Sequence, residues 1–231
     1  MPPCSRHAER GAQEMKNLAL ALSALAGTAG AQQVQVFSGN PTFMQTLTFD
    51  RFDGDANLLV GVCITLDLTV EGGSLSVDND GFESAMVDVE FGAGGALSST
   101  DVFFGEAIEA SITATDTFML DADDGDANPG NDDFDTGGTD VDTLLGTEGT
   151  DSDFANITGT NAQSFAGPGT FEIDVNVSQI LDFGAAGGVS GAFTPSTAFG
   201  TVTIEYKVIP APATAVLAAF GGLATVRRSR R

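Results

Sequence analysis

The sequence predicts an all-β protein, a β-sandwich of jelly-roll or Ig-like type, on three observations. Apolar residues recur at every second position through most of the chain. Breaks rich in Gly, Asn and Asp divide these runs, as at Glu71-Gly72-Gly73 and Asp78-Asn79-Asp80-Gly81. Helical periodicity is confined to the two ends. The clearest run is Leu58 to Val70, which places Leu58, Val60, Val62, Ile64, Leu66, Leu68 and Val70 on one face, with Gly61, Cys63, Thr65, Asp67 and Thr69 between them. Phe43/Leu47/Phe49, Val87/Val89/Phe91, Ile108/Ala110/Ile112, Phe171/Ile173/Val175/Val177 and Val202/Ile204/Tyr206/Val208 repeat the pattern. Polar partners such as Asp88, Glu90, Glu172, Asp174, Thr203 and Glu205 sit between them. Short strands with one apolar face each need two packed sheets, and their spacing predicts roughly eight to ten strands.

The ends read as addresses. Met15 to Ala31, MKNLALALSALAGTAGA, has a positive start at Lys16, an apolar stretch from Leu18 to Ala26 and the small-residue site Ala29-Gly30-Ala31. That is the layout of a secretory signal peptide cleaved before Gln32. The polar residues before it are read as an upstream extension, with Met15 the expected initiator. Residues 1–31 are therefore extension plus signal, 32–208 the folded body and 209–231 a tail. The tail has a Pro-containing turn (Pro210, Pro212), a short apolar helix from Ala213 to Val226, and Arg227, Arg228, Arg230 and Arg231. Such a basic end stays on the cytoplasmic side of a membrane. The three parts resemble the PEP-CTERM sorting signal of bacterial exported proteins, with Ala211 where that signal usually has Glu. The resemblance implies a processing protease as partner, membrane contact only through the C-terminal helix, and retention near exopolysaccharide.

Between Gln32 and Ile209 there are 30 acidic residues and two basic ones, Arg51 and Lys207, a formal charge of −28. So negative a body repels phosphate backbones, which excludes nucleic acid as a partner. It suits solubility or divalent cations. Cys4 lies upstream of the expected cleavage, so the mature body is expected to keep Cys63 alone, without a disulfide. With no His in the body, a Cys/His zinc site is excluded, and Cys63 has no base to make it a nucleophile. Asn156-Ile157-Thr158 and Asn176-Val177-Ser178 fit a glycosylation triplet that chance also produces.

Asp121 to Phe154 holds 12 acidic residues and no basic one, and reads as a long surface loop. Asp124, Asp126, Asn128, Asp132 and Asp135 fall at positions 1, 3, 5, 9 and 12 of a calcium loop, with Asp121 and Asp123 beside them. Against this, Pro129 stands where the turn wants Gly, and Asp135 where Glu is usual. Calcium binding and a merely solvated acidic loop both remain open.

The run FSGNPTFMQTLTFDRFDGDANLLVGVCITLDLTVEGGSLSVDND resembles the opening of the choice-of-anchor E domain. Phe52-Asp53, Leu58, Gly61-Val62, Thr65-Leu66, Gly73 to Val77 and Asn79 carry the resemblance. FAGPGTFEIDVNVS and GTVTIEYKV resemble its closing strands, so it covers roughly Val34 to Val208. It implies an exported surface protein and supplies no catalytic residue. A structural or matrix-associated role leads, since sugar platforms usually need exposed Trp or Tyr, and the body has no Trp and only Tyr206. A carbohydrate- or calcium-dependent binding module is the alternative. A glycoside hydrolase needs only paired carboxylates, but no motif organises them here.

Overall fold

The computed structural model describes residues 31–124, 134, 137–184 and 188–209. These form strands β1 (Gln32–Gly39), β2 (Phe43–Asp50), β3 (Leu59–Glu71), β4 (Ser74–Asn79), β5 (Ala85–Ser98), β6 (Glu109–Leu120), β7 (Val141–Leu145), β8 (Gly149–Thr158), β9 (Thr170–Phe183), β10 (Val189–Thr194) and β11 (Thr197–Val208). Two 3-10 turns, Ala56–Leu58 and Ala162–Phe165, complete the regular structure among the described residues. The strands make three antiparallel sheets, ordered β1-β11-β3-β8, β10-β4-β7 and β2-β9-β5-β6.

The first two sheets are one layer interrupted across its width. β3 runs into β4, β7 into β8, and β10 into β11, and the pairing resumes beyond each break. Val70 faces Gly149 on one side of it and Ser74 faces Leu145 on the other. Likewise Thr197 faces Glu71 and Thr194 faces Ser74. Joining these pairs leaves eight long strands, ordered 1-8-3-6 in one layer and 2-7-4-5 in the other. This is a long antiparallel hairpin rolled over on itself, the jelly-roll arrangement of two Greek keys. Eleven segments replace the expected eight to ten because three strands are broken. The break is set by glycine. Gly72 and Gly73 have φ of 68° and 82°, where a side chain is strained. A Cβ on Gly73 would lie 2.8 Å from both the Phe91 ring and the Ser196 amide nitrogen. Gly146 N–H donates to the Gly73 carbonyl at 2.9 Å across the break.

The layers enclose two apolar clusters. The larger joins Phe37, Phe49, Ile64, Leu66, Leu68, Phe165, Phe171, Ile173 and Ile204 with their neighbours. The smaller joins Leu75, Val77, Val87, Val89, Phe91, Phe118 and Leu120 under β4. β5 feeds both, with Val87, Val89 and Phe91 in the second and Ala93 and Leu97 in the first. Gln179 of β9 stands by the break. Its amide donates to the Gly92 carbonyl and accepts from the Ser196 backbone N–H at 3.4 Å and hydroxyl at 3.3 Å.

Both long edges of the sandwich are stitched by side chains. On one, Gln33 of β1 donates to the Asp50 carbonyl and accepts from the Asp50 N–H, each at 2.8 Å, and Gln35 donates to the Thr48 carbonyl at 3.3 Å. On the other, Asp153 and Asp151 of β8 accept the Glu109 and Ser111 N–H groups of β6 at 3.0 Å. The pairing explains an inverted pattern in β1, where Val34 and Val36 are exposed while Gln33 and Gln35 share the face of buried Phe37. It also corrects the reading of 121–154 as one long loop. β7 and the first half of β8 lie inside that stretch, and Asp151 and Asp153, two apart on β8, turn to the same side toward β6.

Two details of β3 depart from simple alternation. Val60 is 43% exposed and Leu59 3%, the reverse of the predicted phase. The ladder slips between Lys207 and Val208, which face Gly61 and Leu59 and leave Val60 as the extra residue of a bulge. Leu58 belongs to the 3-10 turn. Cys63, on the expected polar side, is buried at 2%. Its strand neighbours across the sheet are Glu205 and Asn156, and Lys207 Nζ donates to the Asn156 side-chain Oδ1 at 2.7 Å.

The bulge gives a direct test. Leu59→Asp should bury an unpaired carboxylate and cost several kcal/mol, on the order of the domain's whole stability. Val60→Asp should stay within about 1 kcal/mol of the parent. Urea unfolding of both variants checks this, and equal losses would place Val60 in the core. Replacing Asp151 and Asp153 together by Ala should cost roughly 1 kcal/mol for each lost bond in the same measurement.

Candidate functional site

The sequence-predicted calcium loop begins where β6 ends. Asp121, Asp123 and Asp124 are described, whereas Asp126, Asn128, Asp132 and Asp135 lie outside the described residues. The three described aspartates pack against the β4–β5 turn and the segment leading into β7. Asp121 N–H donates to the Thr139 carbonyl at 3.2 Å, and Asp123 N–H to the Gly81 carbonyl at 2.9 Å. Asp124 N–H donates to Asp140 Oδ2 at 3.0 Å.

Asn79, at the end of β4, ties this corner together. Its side-chain amide donates to the Glu83 carbonyl at 2.9 Å and the Asp121 carbonyl at 2.5 Å. Its oxygen accepts the Gly81 N–H at 3.1 Å, closing an Asx turn. Its backbone N–H donates to the Asp140 carbonyl at 3.0 Å. Thus one buried residue fixes the turn and the end of β6 through its side chain and the entry to β7 through its backbone.

Asp140 is the residue that sequence reasoning missed. It is 2% exposed, and Oδ1 of its carboxylate is buried without a hydrogen-bond partner. Asp78, also buried, lies opposite Val141 in the β4–β7 ladder, one residue along from Asp140. Gly138 adopts φ 109° beside the pair. The point where a Gly138 Cβ would stand is 2.6 Å from Asp140 Oδ1 and 2.6 Å from Asp124 Oδ2. The two carboxylate oxygens therefore crowd the same side of Gly138, where no Cβ would fit. Among the described residues no group of three or more His, Cys, Asp and Glu is assembled for a metal. The signal for this corner was the Asp78-Asn79-Asp80-Gly81 break, which pattern reading takes only as a separator between strands.

At the opposite end, Tyr206 is buried and its hydroxyl donates to the Asp50 carbonyl at 2.6 Å. Burial pushes its pKa well above the usual tyrosine range, and the nearby Asp50 charge adds to the effect. Arg51 donates from Nε to the Thr170 carbonyl at 3.2 Å, and also to the Ser164 carbonyl. Its guanidinium lies 5.7 Å from the Phe171 ring centroid. No described helix is long and apolar enough to cross a membrane.

No family model matches the chain, and no curated protein does. Among solved structures it is similar to Desmodium yellow mottle tymovirus, at 9% identity and a TM-score of 0.15, covering 92% of this chain and 100% of that one. The empty head of turnip yellow mosaic virus gives 9% identity and a TM-score of 0.14, covering 86% of this chain and 93% of that one. Infectious bursal disease virus, Gt strain, gives 12% and 0.16, covering 86% and 50%. Likenesses at such TM-scores carry no argument about this chain.

The Asn79 knot yields a stability prediction. Asn79→Ala strips partners from Glu83, Asp121 and Gly81 at once. It should cost about 3 kcal/mol, since unmade bonds to buried groups run to 1–3 kcal/mol each. Thermal unfolding of the variant against the parent measures it, and an unchanged midpoint would show that the corner holds without the side chain.

Proposed function

We propose that this chain is an exported, non-enzymatic bacterial surface protein, a jelly-roll body carried between a cleaved leader and a C-terminal sorting tail. The observation that carries the reading is where the body's strands begin and end. β1 starts at Gln32, the residue after the expected Ala29-Gly30-Ala31 cleavage site, and pairs there with Glu205 of β11. β11 closes at Val208, just before Ile209-Pro210-Ala211-Pro212 opens the tail. A cut before Gln32 would leave every residue of β1 in place and remove one bond to β11, from the Tyr206 N–H to the Ala31 carbonyl at 3.1 Å. A structural role is supported over a sugar platform by Tyr206, the body's lone tyrosine, which is buried and spent on the Asp50 carbonyl.

Expression of the full chain in a secreting bacterial host tests the reading. The exported protein should begin at Gln32 by N-terminal sequencing. Deleting Ala213 to Arg231 should release it into the medium. An N-terminus upstream of Met15 on exported protein would sink the leader. Continued cell association of the truncated chain would assign retention to the body.

A further inference from the structure

A buried carboxylate needs compensation from hydrogen bonds, an opposite charge or a metal. Asp140 has half of that. Oδ2 takes the Asp124 N–H, while Oδ1 is buried and has no partner among the described residues. It lies against the side of Gly138 that Asp124 Oδ2 also crowds, each oxygen 2.6 Å from the point a Cβ there would occupy. The two oxygens are then at most twice that distance apart, within the span of two ligands on one calcium ion at 2.3–2.6 Å. Two like charges brought to one space, one of them buried, call for a cation between them.

We propose that Asp124 and Asp140 together bind a calcium ion at the corner where β4, β6 and β7 meet. Both identified ligands are oxygen, which favours a hard cation over zinc or copper. Two carboxylates leave the other positions of the shell to carbonyl oxygens and, on the exposed Asp124 side, to water; an irregular shell of that kind suits calcium better than magnesium, which demands a near-ideal octahedron. So sparse a site binds weakly, with a dissociation constant on the order of 10⁻⁴–10⁻³ M, as in extracellular modules. Asp140 replaces the EF-hand-type spacing as the anchor, so Pro129 does not bear on the site. The inference stands apart from the export reading, because it is tested on purified protein.

The experiment is a CaCl₂ titration of the purified full chain by calorimetry and thermal unfolding, at ionic strength held constant with NaCl to remove general screening. Three variants decide it. Asp124→Asn changes an exposed ligand and keeps its backbone N–H. Asp140→Asn changes the buried one. Asp88→Asn removes an equal charge from an exposed carboxylate on β5 that accepts the Thr117 hydroxyl at 2.7 Å. The parent and Asp88→Asn should bind calcium alike and gain thermal stability from it. Asp124→Asn and Asp140→Asn should bind about tenfold more weakly or not at all. If Asp140→Asn does not fold, Asp124→Asn settles the matter alone. Parent-like binding by Asp124→Asn, or a stability gain that NaCl reproduces in full, overturns the site.

Discussion

The length of β5 constrains everything around it. Its 14 residues span roughly 45 Å at about 3.3 Å each. Strands twist, so two layers packed face to face diverge over a span that long. The facing layer therefore bends where β3 gives way to β4, at two glycines in left-handed backbone, and the core divides into two clusters at the same level. Gln179 and Ser196 satisfy each other there, so the bend leaves these polar groups paired. Folding the layer at this line is also what brings the β4–β7 corner and its carboxylates together.

A rolled hairpin still has open edges, and their chemistry dictates which side chains close them. The β6 edge offers two N–H groups, from Glu109 and Ser111, and ionised carboxylates are acceptors only, so Asp151 and Asp153 fit. The β2 edge offers both an N–H and carbonyls, from Asp50 and Thr48, and a side-chain amide carries both a donor and an acceptor, so Gln33 and Gln35 fit. Bare edges are templates for pairing with other chains. Here each is engaged by the neighbouring edge of its own sandwich without a backbone ladder.

The sandwich was legible in the sequence because its inward faces alternate through the first part of β9, through β11 and through β3 beyond Ile64. What escaped were the places where a local rule yields to a neighbour. The Val60 bulge inverts the phase of Leu59 through a slip against β11, which period-2 counting cannot register. The edge strands β1 and β8 put polar residues inward because their partners are free backbone groups across the sandwich, so β8 reads as a charged loop. The acidic cluster was visible as composition, but its anchor was not. Asp140 is special only because Asn79, distant in sequence, holds its carbonyl, and because Gly138 leaves its carboxylate room.

The scarcity of cations gives that carboxylate its meaning. With thirty acids and two bases between Gln32 and Ile209, most carboxylates cannot find an ammonium or guanidinium. Lys207 goes to an amide oxygen and Arg51 to carbonyls and an aromatic face. The chain instead uses backbone N–H groups as partners for its acids. Asp55 accepts from Asn57, Asp101 from Glu172, Asp151 from Ser111 and Asp153 from Glu109. Such charge-assisted bonds make the acids structural rather than only solubilising. These bonds are solvent-exposed, so each carboxylate's remaining lone pairs are open to solvent. Asp140 follows the same rule with one oxygen, but burial denies water to the other. An acid-rich fold that matches so many of its carboxylates to N–H groups has left at this corner one oxygen that a bound cation would satisfy.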